Sequence, residues 1–88
     1  MNNSDFTLEY AKRLNFLVYI FNQYAQLGYH VSMVTNECNL FLTSLSIIID
    51  DKAEAYNVCF SIDEVYGKMF TIELHEVSDF YYVSITSK

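Results

Sequence analysis

An α+β fold, with one N-terminal helix packed on a four- to five-stranded antiparallel meander sheet, is what this 88-residue sequence predicts. Three observations predict it. Apolar residues recur with a helical period from Ser4 to Leu27, then with a period of two after Gly28. The links between the alternating stretches are short, which suits antiparallel hairpins. Proline is absent and glycine occurs only at Gly28 and Gly67, so few positions break the chain into further units. Residues 1–88 therefore read as one domain, with a helix over about 4–27 and a sheet over about 29–86.

The helix has recognisable ends. Ser4 suits an N-cap, Asp5 and Glu9 lie near the positive end of the dipole, and Gly28 suits the stop. At 100° per residue, Tyr10, Ala11, Leu14, Leu17, Val18, Phe21, Tyr24 and Ala25 share one broad arc. Phe16, Ile20 and Leu27 lie on its flank, and Tyr19 falls among the polar residues opposite.

Beyond Gly28, Tyr29, Val31 and Met33 alternate with His30 and Ser32. Residues Thr35–Asn39 read as a turn, and Leu40–Ile49 as a longer β run. Phe41, Leu45 and Ile48 also fit a helical period, but the run Ile47–Ile49 favours a strand because β-branched side chains lose χ1 freedom in a helix. Three further alternations follow: Tyr56, Val58, Phe60 and Ile62; then Phe70, Ile72 and Leu74; then Tyr81, Val83 and Ile85. Each predicts a half-buried strand. The outer sheet face would carry Ser46, Asn57, Cys59, Ser61, Thr71, Glu73, His75, Tyr82, Ser84 and Thr86.

Composition bounds the function. A chain of this length buries about 60–65% of its extended surface. Apolar types make up 52% of it, and fifteen residues are Phe or Tyr, so dense packing can stabilise it. Cys38 and Cys59 lack paired spacing and read as separate reduced thiols. Leu14–Phe21 is too short to span a bilayer and no secretory signal is visible, so the expectation is a cytoplasmic protein with no membrane contact. The abundance of Asn, Tyr, Phe, Ile, Lys and Met, encoded by A/T-rich codons, points to a low-GC bacterial or phage source.

Charge is the strongest functional signal. From Asp50 onward, eight carboxylates face Lys52, Lys68 and Lys88, a net of −5 out of the formal −6 of the chain. In a meander, alternate turns share an end of the sheet. Asp50, Asp51 and Glu54 would then share an end with Glu76 and Asp79, while Asp63, Glu64 and Lys68 would lie at the other. An acidic end of this kind can select a basic partner by sign, although solvated turn acids also serve solubility.

Chemistry has few candidates. Asp50 and Asp51, or Asp63 and Glu64, are adjacent and point apart, so they do not converge on one substrate atom. Glu73 and His75 would share a strand face about 7 Å apart. They could hold Zn²⁺ only if His30 or Cys59 joined them. Cys59 with His75 lacks an orienting acid for nucleophilic catalysis. Two glycines exclude a phosphate loop, and five scattered cations do not make a nucleic-acid surface. The expectation is a protein that is not an enzyme, with no cofactor, no metal and no direct nucleic-acid binding.

Two functional readings result. One is a small acidic protein-binding module. It would act as an inhibitor that occupies a basic nucleic-acid-binding surface of an enzyme, in the manner of a phage counter-defence or immunity protein. Its contact residues would be Asp50, Asp51, Glu54, Glu76 and Asp79, with Tyr82 and Tyr19 as exposed aromatic anchors. The other is a structural homodimer or scaffold subunit. It would use the helix flank (Phe16, Tyr19, Ile20, Leu27) and the free sheet edges.

Overall fold

The structure, a computed structural model, describes residues 3–34 and 44–87, with side chains described from residue 11 onward. Its elements are α1 (Asn3–Gln26), β1 (His30–Val34), β2 (Ser44–Ile49), α2 (Lys52–Tyr66), β3 (Phe70–Val77) and β4 (Phe80–Ser87). The strands form one antiparallel sheet in the order β1-β2-β4-β3. The α+β class and the four-stranded antiparallel sheet stand. Residues Thr35–Asn39, Cys38 and the first part of the expected Leu40–Ile49 run lie outside the described residues.

The expected strand over Tyr56–Ile62 is corrected: those residues belong to α2. Alternating apolar residues there also satisfy a helical period, because Ala55, Val58 and Ile62 fall on one face and are the buried ones. The ends decide the matter. Asp51 is the N-cap, with extended backbone (φ −98°, ψ 130°) and a side chain that accepts from the Glu54 backbone N–H at 2.9 Å. At the other end the Gly67 N–H donates to the Asp63 carbonyl at 2.8 Å, and a Cβ on Gly67 would lie 2.5 Å from that oxygen.

The second helix also corrects the meander. Instead of pairing beside β2, the chain leaves the sheet, crosses over it and lays β3 one place further out. The β3–β4 hairpin, turning at Ser78 and Asp79, then fills the gap.

α1 stops as its sequence requires. Gly28 has φ +94°, a left-handed conformation that glycine adopts without cost. The Gly28 N–H donates to the Ala25 carbonyl and the Tyr29 N–H reaches back to the Tyr24 carbonyl, a Schellman ending. The hydrophobic contact that accompanies such an ending is present: the Tyr24 and Tyr29 rings lie 5.7 Å apart. The helix begins at Asn3, so Ser4 lies inside it rather than at its cap.

Both helices cover one face of the sheet, α1 over β1 and β2 and α2 mainly over β3 and β4. The core between the layers joins Leu17, Ile20 and Tyr24 of α1 with Ala55, Val58 and Ile62 of α2. The sheet adds Leu45, Ile47, Ile49, Phe70, Val83 and Ile85. The inward stripe of α1 is thus turned from the expected arc: Ile20 is fully buried while Val18 and Ala25 are exposed. None of the helices among the described residues is long and apolar enough to cross a membrane.

Candidate functional site

Register fixes what shares the open side of the sheet. His30, Ile48, Tyr82 and His75 form one row across the four strands. Ser32, Ser46, Ser84 and Glu73 form the next, and Val34, Ser44, Thr86 and Thr71 the third. Neither of the described helices covers this face. Of the ten residues expected on it, Asn57, Cys59 and Ser61 lie on α2 instead.

A polar cluster on the open face gathers His75, Tyr82, Ser84 and Glu73. The His75 and Tyr82 rings stack with centroids 4.5 Å apart and planes at 15°. Ser84 Oγ lies 2.9 Å from His75 Nε2. Glu73 Oε2 lies 4.0 Å from the same nitrogen. A serine nucleophile needs its histidine oriented through the opposite ring nitrogen. Here the hydroxyl and the carboxylate approach the same ring nitrogen. Alternation alone could not have exposed the Ser84–His75 contact, because it depends on the β3–β4 register.

The metal and nucleophile candidates do not assemble. Cys59 sits in the helix layer, packed against the core, on the far side of the sheet from His75. Burial pushes its thiol up, with the Asp63 charge adding to the effect, which disfavours the reactive thiolate. His30 lies on the opposite edge strand from His75. Among the described residues no three His, Cys, Asp or Glu side chains gather as a metal site.

The acids fall as follows. Ile49 pairs with Tyr81, Tyr81 with Glu76, and Val77 with Phe80. Asp50 and Asp51, which follow Ile49, therefore lie at the same end of the sheet as Glu76 and the Ser78–Asp79 turn. Asp63 and Glu64 lie near the far end of α2, toward the opposite end of the sheet. A helix returns the chain across the sheet as a strand would have done, so the sorting of charge by end survives the change of element. Glu54, in the first turn of α2, has its Oε1 bonded by the Tyr29 hydroxyl. That hydrogen bond, with burial and the Glu54 charge adding to it, holds the Tyr29 phenol protonated and pushes its pKa up to about 12. The Tyr29–Glu54 link joins the end of α1 to the start of α2 and was not legible in sequence.

Cations are distributed the other way. The Arg13 guanidinium donates to Ser87 Oγ at 3.0 Å, at the end of the sheet opposite the acids. Lys68 precedes β3 at that same end. Among the described residues, Lys52 is the Lys or Arg nearest the acidic end.

The two aromatic candidates part company. Tyr82 lies on the open face in the row next to the acidic end, half-buried by its stack with His75. Tyr19 is 58% exposed on α1. It lines a cleft of about 570 Å³ with Lys12, Asn15, Phe16 and Tyr66, away from the acids. The expected helix-flank interface is not an intact surface, because Ile20 is buried and Phe16 packs edge-on against Tyr66, centroids 5.8 Å apart. No protein-family model, curated protein or solved structure matches this chain.

Proposed function

We propose that the protein is a non-enzymatic protein-binding module that sets its acidic end against a basic surface of another protein. In the finer form of this reading it is an inhibitor that occupies the nucleic-acid-binding surface of an enzyme. One observation carries the reading. Asp50, Asp51, Glu76 and Asp79 share one end of the sheet, while at the other Arg13 and Lys68 lie with Asp63 and Glu64. Clustering like charges costs folding free energy that scattered charges would not. A basic partner recovers that cost on binding and is steered by the same field.

The test uses the intact chain as an affinity bait on lysate of its native host, followed by purification of what it retains. A retained protein should release duplex DNA when this chain is added, in an electrophoretic competition. Reversing Asp50, Glu76 and Asp79 to Lys together should abolish both binding and competition. Asp51 and Glu54 are left intact, because they serve the start of α2. Binding undiminished by the triple reversal would overturn the proposal.

A further inference from the structure

The edge strand β3 offers a surface that the acidic end does not explain. β3 is an edge strand of eight residues. Its inward-facing Ile72 and Leu74 are only half-buried, unlike Ile47, Val83 and Ile85 on the central strands, which are sealed. Exposed apolar area lies beside it on α2. Glu54 meets Tyr29, and Ser61 and Val65 line a cleft with Tyr19 and Gln23, so that flank of α2 faces β1 and α1. At 100° per residue Tyr56 falls on the opposite flank, toward β3, and Phe60 between that flank and solvent. Their rings stack at 6.5 Å and remain 45% and 69% exposed.

We infer that β3 pairs with β3 of a second copy of this chain, antiparallel and centred on Leu74, to give a continuous eight-stranded sheet. The charges select this occupant and this register. With Leu74 facing the partner's Leu74, Glu73 falls opposite the partner's His75 and His75 opposite the partner's Glu73. Lys68, just before β3, comes beside the partner's Ser78–Asp79 turn. Each carboxylate in these pairs thus faces an imidazole or an ammonium. Centring one residue earlier, on Glu73, would set two carboxylates against each other, which is destabilising. Ile72 meets the partner's Glu76 at the rim, where that exposed carboxylate keeps its water. The Tyr56–Phe60 pairs of the two copies come together over the new seam, as an isologous interface requires.

Sedimentation of the full-length chain over micromolar concentrations tests this. The chain should sediment as a dimer in equilibrium with monomer. Lys68→Glu should weaken the dimer about tenfold, because one substitution alters two symmetric contacts. Adding Asp79→Lys to Lys68→Glu should restore it, since the swapped charges again face each other. Phe60→Ser should weaken it with the circular dichroism spectrum unchanged. A monomer throughout that range overturns the inference. So does a dimer indifferent to Lys68→Glu and Phe60→Ser, which would rest on another surface such as β1.

Discussion

Asp51 decides where the chain leaves the sheet. Its carboxylate occupies the Glu54 N–H, one of the donors a helix start leaves without an internal partner. Asp51→Ala should therefore destabilise the protein by about 0.5–2 kcal/mol in urea unfolding, and Asp51→Asn should recover most of the loss. A second residue-scale effect belongs to Tyr29. Its phenol has a folded pKa of about 12 against an ordinary value of 10.0, chiefly through its bond to Glu54. The neutral form is the one favoured on folding. The contribution is therefore complete below the unfolded pKa of about 10 and is lost as pH rises through the folded value. In an absorbance titration at alkaline pH, Tyr29 should ionise late. Tyr29→Phe should remove that late step, and Glu54→Gln should bring it to lower pH. An unchanged late step in Tyr29→Phe would assign it to another phenol, since burial also raises Tyr24 and Tyr66.

At the scale of elements, α2 separates period from appearance. If Tyr56–Ile62 were a strand, Phe60 and Ile62 would point to the same face and both would matter to the core. In the helix, Ile62 is 2% exposed and Phe60 is 69% exposed. Ile62→Ala should cost about 2–5 kcal/mol. Phe60→Ala should lie within about 0.5 kcal/mol in dilute solution. Equal losses in urea unfolding would contradict the helix. This segment also shows what the sequence could reveal. α1, β1, β3 and β4 were legible because each has one dominant period and, for α1, a glycine stop. The end of β2 was legible from its β-branched run. The segment over Lys52–Tyr66 satisfied both periods, since Val58 and Ile62 belong to the apolar set of either. Its signals were terminal: a capping Asp51 three residues before Glu54, and Gly67 after the last apolar position. The Ser84–His75 and Tyr29–Glu54 contacts join residues whose proximity depends on register and crossover, which no local pattern carries.

Across the whole molecule, one end of the sheet gathers acids, while at the other Asp63 and Glu64 lie with Lys68 and Arg13. Asp50, Asp51, Glu76 and Asp79 share the end where β2 stops and the β3–β4 hairpin turns, and the chain carries a formal −6. The approach of His75 Nε2 to Glu73 Oε2, at 4.0 Å, lies on the open face, apart from these four. Repulsion within that end should oppose folding most when salt is scarce. The screening length falls from about 30 Å at 0.01 M to about 8 Å at 0.15 M. The melting temperature should therefore rise as sodium chloride is added over that range. Asp79→Asn should raise it at low salt and diminish the salt response, each by an amount equivalent to roughly 0.5 kcal/mol for such exposed groups. The turn itself should tolerate the change, because Asn serves turns as Asp does. A melting temperature that falls with salt would mean that attractions between the two ends outweigh repulsion within the acidic one. The acids would then stabilise the fold directly, and a basic partner would have no repulsion to relieve.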